Sequence, residues 1–461
     1  MALPPQFDEP AFEGLQRIDR ALDAGQAHVF RVLWFWLPPG SVARNPQFQA
    51  LLASRFLTDV AINALIFGAL ISTARGDGGA IEAALLGTAF LLPSLLLGLY
   101  GGAVADALPK RVALAGAYVG MGVLTLAVAF ALGSDFGSLL LVIFVVRILH
   151  QFSQPSEAST LPLVATAEEL AAANSMLGLI SSAADLLGKA VLAPLIVRAY
   201  GVDPVTIIAG MLFLLSASRV FDLRPAPHPG PVEPERGAPP ASTMGVVRWL
   251  LAERQVMWML VLAALASTIN VVLAMLGPQY VGEVLNVDPV NTLYVFAPAP
   301  IGLLAALALA PLLIRWAGER PIAILGFVLV SSAVTALGLV ATLTDLLGWL
   351  LFFGIPGVGP RVEMAALLSM FLGAGVTLAV VATQTYISRT VPLRIQGRAF
   401  ALLGVLKDGF AIPPLLALGA IASTVGVDTV ITVAPIFLLL LAVAIDRTVS
   451  RFRTPAPGML P

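Results

Sequence analysis

GGAVADALPKR, residues Gly101 to Arg111, is a short charged interruption between two long apolar runs. Asp106 stands near its centre, and Lys110 and Arg111 close it. A polar break of this kind between apolar runs is the turn between two membrane spans, and its charges report which way the chain is threaded. The rest of the composition agrees with that reading. The chain has 461 residues, 58% of them hydrophobic and only 11% charged, with a mean hydropathy of +0.93. Those values lie outside the soluble range and describe an all-α integral membrane protein.

Several function classes fall away at once. A net charge of −1 excludes a strongly basic nucleic-acid binder, so no nucleic-acid partner is expected. The absence of cysteine excludes disulfides, thiolate metal sites and cysteine nucleophiles. Three scattered histidines make no zinc site, and FFGIPGVGPR, Phe352 to Arg361, lacks the lysine and the strand of a phosphate loop. It reads instead as an interfacial loop. Neither metal nor cofactor is expected, and no nucleophile constellation suggests an enzyme.

Spans of about 20 apolar residues can be counted along the chain. Six are expected at about 48–73, 80–104, 112–133, 138–160, 174–199 and 204–221, and six more at about 256–281, 291–314, 321–343, 362–388, 399–424 and 430–446. The chain thus divides into an amphipathic interfacial segment over 1–46, a six-helix bundle over 47–221, a Pro-rich linker with an interfacial helix over 222–255, a second six-helix bundle over 256–447, and a tail over 448–461. The first segment ends in Phe30, Trp34, Phe35 and Trp36 beside Arg31, aromatic and basic residues that suit the headgroup layer. Its early acids, Asp8, Glu9 and Glu13, are wrong for a cleavable signal.

An even number of spans puts both termini on one side. That side, with the opening turn and the central linker, collects nineteen of the 26 lysines and arginines. By the positive-inside rule it is cytoplasmic. One loop on that side, around Glu157, Glu168 and Glu169, reads as acidic. The two halves also echo each other: an offset of 209 residues lays Arg315–Arg320 on Asp106–Arg111, with Gly318 meeting Pro109. Two similar bundles joined by a linker are what a carrier rocking about a midplane site requires.

With topology and repeat in place, the opening turn resembles the loop signature of the major facilitator superfamily, a glycine and an aspartate followed by basic residues between spans two and three. It departs from the usual pattern at Ala107 and Pro109. STLPLVATAEELAAANSM, from Ser159, and TQTYISRTVPLRIQGRAFALLG, from Thr383, are similar to the bacterial efflux branch that holds enterobactin-type siderophore exporters and macrolide efflux proteins, as is PQYVGEVLNVDP from Pro278. The resemblance covers about residues 47–447. It implies twelve transmembrane helices in two pseudo-symmetric six-helix bundles, a multi-pass place in the bacterial inner membrane, and a gate role for Asp106 through contacts with the second bundle. Gly102, Asp106, Lys110, Arg111, Arg315, Arg320 and Arg398 are the expected gate set.

Ionisable groups inside spans are functional candidates because they are costly there. Arg55, Asp59 and Asn63 are spaced four apart on one face of span one. Arg55 is expected to snorkel toward the interface, which leaves Asp59 deeper; the alternative is a pair that only locks the helix. Span four carries Arg147, His150 and Gln151, and the resemblance ties such an arginine to proton coupling. A hydrogen-bonded core histidine is the plain alternative for His150. Asp185 and Lys189 in span five match Lys407 and Asp408 in span eleven when the halves are overlaid, and two of the three lysines in the chain stand there. Lysines facing a cavity favour an anionic or zwitterionic headgroup, while neutralising pairs without a ligand are the alternative. With Asn270 of span seven, these residues form the expected cavity and coupling set. Gly116, Gly120 and Gly122 read as helix packing.

The expected function is secondary active transport: proton-coupled export of an amphipathic small molecule by antiport, with substrate, protons and membrane lipids as partners. A lipid or lysolipid translocator is the alternative. A transporter-like structural subunit of a larger membrane complex is another.

Overall fold

The computed structural model describes residues 42–76, 79–97, 109–165, 170–221, 223, 253–351, 359–391 and 393–451. Most of the expected amphipathic segment, Gly102 and Asp106 of the opening turn, and most of the linker, of the Phe352–Arg361 loop and of the tail lie outside the described residues.

The first half holds α1 (Pro46–Arg75), α2 (Ala80–Leu97), α3 (Lys110–Ala131), α4 (Phe136–Val164), α5 (Leu170–Leu186), a π-helical turn (Leu187–Leu192), α6 (Ala193–Tyr200) and α7 (Asp203–Phe221). The second holds α8 (Arg254–Glu283), a 3-10 turn (Pro289–Asn291), α9 (Thr292–Phe296), α10 (Ala299–Ala317), α11 (Glu319–Gly338), α12 (Val340–Leu351), α13 (Pro360–Thr390), α14 (Leu393–Val425) and α15 (Val427–Arg451). Among the described residues, eleven helical stretches are long and apolar enough to cross a membrane, and α15 carries a shorter apolar stretch, Val427–Leu440. Each half therefore supplies six helical passes, and the fold is two six-helix bundles.

Local chemistry sets the helix starts. Asn45 caps α1, its side-chain oxygen accepting from Gln47 N at 3.0 Å with Pro46 in the first turn. Its amide also donates to Val164 O at 2.7 Å, tying the start of α1 to the end of α4. Asp135 caps α4 by accepting from Gly137 N at 3.1 Å. The predicted eighth span is split: α9 stops at Phe296 and α10 begins at Ala299, because Pro298 and Pro300 cannot donate to a continuous ladder. The ninth span runs past its expected end as α12 after a break at Leu339, where Gly338 lets Thr432 of α15 come close.

Packing within the bundles relies on small residues. Ser216 of α7 donates to Ser54 O at 2.6 Å and lies 2.6 Å from the Thr58 hydroxyl, locking α7 to α1. Gly122 of α3 faces Leu214 and Gly210 of α7, whereas Gly116 meets nothing within 4 Å and so does not share the packing role expected for it. In the second half, Gly326 of α11 and Gly375 of α13 bring two backbones together, with room for no side chain at either.

The halves meet chiefly where α2 crosses α14, and α8 touches both α1 and α2. At Gly87 an added methyl would stand 2.6 Å from Leu415 and 2.9 Å from Met275. Gly409 receives Leu95, and Gly419 receives Ala84 and Ala80. The outer faces of the bundles are apolar instead of charged: Phe130, Leu312 and Phe437 are all exposed, as lipid-facing residues of a multi-pass protein are.

Candidate functional site

Four groups of polar residues are held within or across this frame. The first lies inside the first bundle. Arg55 of α1 does not reach toward an interface, as expected from its place near a helix end; it turns inward. Its Nη1 donates to Glu157 Oε1 of α4 at 3.0 Å, its Nε donates to the Ser181 hydroxyl of α5 at 2.7 Å, and the same Nε stands 3.4 Å from Asp59 Oδ2. Ser181 in turn donates to Asp59 Oδ2 at 2.8 Å. Two carboxylates thus share one guanidinium across three helices. Asn63 donates to Asp59 O at 2.8 Å and packs against Gly188, so it serves helix contact and not the ionic cluster.

Glu157 is the residue that the sequence reading misplaced. The expected fourth span ends at about residue 160 with an acidic loop around Glu157; α4 instead runs on to Val164, and Glu157 is 3% exposed. The signal was present in the periodicity: His150, Ser153, Glu157 and Thr160 recur at helical spacing and all four are buried.

The second group faces the other bundle. Arg147 of α4 donates from Nε to Phe90 O of α2 at 2.9 Å, and its guanidinium lies 4.2 Å from the centroid of the Phe90 ring. This pins α4 to the helix that crosses α14. Asp408 of α14 acts on Arg147 electrostatically from across the interface. His150, one turn on, is buried, with Ser153 Oγ 3.4 Å from its Nδ1. Asp408 does not pair with Lys407: adjacent residues on a helix point about 100° apart and cannot face each other. Among the described residues, neither makes an ion pair. Asn270 is half-buried on α8.

The third group sits where the helix after α5 changes pitch. Lys189 lies in the π-helical turn and pairs with Asp185 Oδ1 at 2.5 Å; the side chains are 32% and 51% exposed. π-turns of this kind re-aim side chains and recur at functional positions. The turn is seated on α1, where Gly188 meets Asn63 and Val60.

The fourth group joins the two halves at one end of the molecule. Arg75, the last residue of α1, grips Asp288 in two parallel bonds, Nε to Oδ1 at 2.9 Å and Nη2 to Oδ2 at 2.6 Å. Its Nη1 also donates to Val197 O of α6 at 3.2 Å. Asp288 is fixed from its own side by accepting from Val290 N at 3.1 Å. The bond from Arg75 holds the Asp288 carboxyl below its ordinary pKa. The spacing of residues gave no hint of this pair.

The expected gate residues that the structure describes in full, Arg111, Arg315 and Arg320, lie at the opposite end. Gly102 and Asp106 are outside the described residues, as are the side chains of Lys110 and Arg398. Arg111 donates from Nη2 to Phe221 O and lies 5.6 Å from that ring, so it caps α7 within its own bundle. Arg315 is exposed. Arg320 lines an open cleft of about 750 Å³ with Gln255, Glu319, Ile324 and Tyr386, and Glu319 pairs with Arg389 of α13. Gly318, in the turn before α11, has φ +87, a conformation that Pro109 at the matching place, φ −55, does not share. The repeat is therefore broken at this turn.

Among the described residues, no cluster of three or more histidine, aspartate or glutamate side chains could hold a metal ion. The family model described as Major Facilitator Superfamily matches residues 51–362. No curated protein matches the chain by sequence. Solved structures do match in fold. The nucleoside transporter NupG is 12% identical with a TM-score of 0.68, over 88% of this chain and 100% of that one. A bacterial homologue of the human lysosomal transporter Spinster is 15% identical with a TM-score of 0.68, over 88% and 98%. An auto-inhibited peptide transporter of the POT family is 12% identical with a TM-score of 0.69, over 90% and 99%.

Proposed function

The chain belongs to the Major Facilitator Superfamily, and from that membership we propose that it is a proton-coupled exporter of an amphipathic small molecule, working by alternating access. The observation that carries this reading is the ion pair on the π-helical turn. Asp185 and Lys189 offer both signs of charge, half-exposed, inside a membrane-spanning stretch. A carboxylate and an ammonium are kept at such a position at a cost. A ligand with a charged or zwitterionic headgroup can replace either partner. Lys407, unpaired among the described residues, and Asp408 with Arg147 extend the polar surface across the interface.

The bias of lysine and arginine toward the side of the termini and the linker orients the chain with its ends in the cytoplasm of a bacterial cell and the Arg75–Asp288 end outside. The clamp then closes the outer end, and a substrate enters from the cytoplasm or the inner leaflet. Release requires the clamp to part. Gate roles for Asp106 and its basic neighbours, and for Arg320 and Arg398, belong to the inner end in this scheme.

A lipid or lysolipid is a second candidate substrate, favoured by the same pair: a zwitterionic headgroup matches Asp185 and Lys189 charge for charge. Native mass spectrometry of the protein purified from its own membrane tests the site. An anionic or zwitterionic amphiphile should travel with the wild type and be lost from Lys189→Ala. Equal retention by both would remove the assignment, and a fixed protein partner in place of a small molecule would favour a structural role.

A further inference from the structure

The cluster around Arg55 is satisfied in hydrogen bonds and unbalanced in charge. One guanidinium faces Asp59 and Glu157, both linked to it directly, and Glu157 is almost fully buried. With both carboxylates ionised the cluster carries an excess negative charge inside the bundle; with one proton bound it is neutral. The other charged and titratable groups around it do not cancel the excess. Asp185 acts on Asp59 from α5 but is already paired with Lys189. Arg147 of α4 also acts on Asp59, but its charge is shared with Asp408 of α14 across the interface. His150 is buried on α4, and Tyr118 of α3 contributes a buried phenol that bonds to Thr58.

We infer that Asp59 and Glu157 share one exchangeable proton around Arg55, and that this site, inside the first bundle, is separate from the substrate surface between the bundles. The inference rests on the proton-coupled reading above and assigns the ion its place. Binding is a plain acid–base step: a proton from water adds to one carboxylate oxygen, and it returns to water on release. No other bond is made or broken.

The geometry also supplies a route from proton to substrate. Ser181 accepts from Arg55 and donates to Asp59. If Asp59 takes the proton, its new O–H competes with Ser181 as donor, and the hydroxyl must turn. Ser181 stands one helical turn from Asp185, whose partner Lys189 lies within the π-helical turn. Protonation thus acts on the helix that carries the candidate substrate pair.

The test needs no substrate. Difference infrared spectra of the purified protein, titrated from mildly acidic to mildly alkaline pH, should show one protonated carboxyl per chain that ionises as a single group. Glu157→Gln and Asp59→Asn should each abolish that band, because either leaves one acid matched to Arg55. Glu157→Asp should keep it, which answers the objection that a variant simply fails to fold. The same band persisting in both amide variants, or no titrating band in the wild type, would overturn the inference. So would a thermal midpoint that responds to sodium and not to pH. A shared proton found in a protein that transports without a proton gradient would instead refute the coupled function and leave the site standing.

Discussion

Arg75 and Asp288 join the two halves of this protein by a two-bond clamp between the end of α1 and the turn before α9. The acid is 47% exposed, so the pair is worth no more than about 1 kcal/mol. That is too little to hold the fold and enough to bias a conformational equilibrium by about fivefold. Spin labels at Ser72→Cys and Asn291→Cys, introduced into a chain that has no native cysteine, should report a larger separated population in Asp288→Asn. The charge-swapped pair Arg75→Asp with Asp288→Arg should restore the closed distance. Unchanged populations in all three would show that the clamp does not bias closure.

The same clamp should respond to acid in a defined direction. Arg75 lowers the folded-state pKa of Asp288, so the contribution is fully present above the ordinary aspartate value of about 3.9 and is lost as pH falls through the depressed one. The label distance should hold from neutral pH down through the ordinary aspartate range and change only below it. In Arg75→Gln the carboxyl loses its partner, and no acid-dependent change of this kind should remain.

Two glycines give opposite expectations from similar sequence contexts. Gly375 has Val330 N and Gly326 O within 3 Å of where a methyl would stand, both backbone atoms. Gly375→Val should cost about 1–3 kcal/mol or more by forcing α11 and α13 apart. Gly116 has open space, and Gly116→Ala should stay within about 0.5 kcal/mol. Thermal midpoints in detergent separate the two.

Lys189→Ala and Lys407→Ala should each abolish transport in a protein that still inserts and folds. The structure explains why folding survives. Removing Lys189 strands an aspartate that is half-exposed, not a buried one, and an i, i+4 pair of this kind contributes about 0.3–0.5 kcal/mol. Removing Lys407 strands nothing among the described residues. Monodisperse gel filtration with lost transport is the expected result; full transport in both variants would take the lysines out of the site.

The bundles were legible in the sequence because a lipid-spanning helix announces itself by length and apolar composition. Asp185 and Lys189 were legible too, since one helical turn separates them. What was not legible depended on partners distant in the chain. Glu157 is 102 positions from Arg55, and Asp288 is 213 from Arg75. The local cue there pointed elsewhere: Glu157 stands with Glu168 and Glu169 in an acidic stretch that imitates a loop. Lys407 and Asp408 failed in the opposite sense, since adjacency in sequence suggested a pair that helical geometry forbids. The split at Pro298 was written in the prolines themselves, but the apolar run hid it.

Proton-driven exchange is the central claim, and accumulation in inverted membrane vesicles tests it most directly. A labelled zwitterionic or anionic amphiphile should accumulate when the vesicle interior is acidified and leak back when the gradient is collapsed. Glu157→Gln should lose the dependence on the gradient, and Lys189→Ala should lose uptake altogether. Uptake at the same rate and to the same level with and without the gradient would contradict the account.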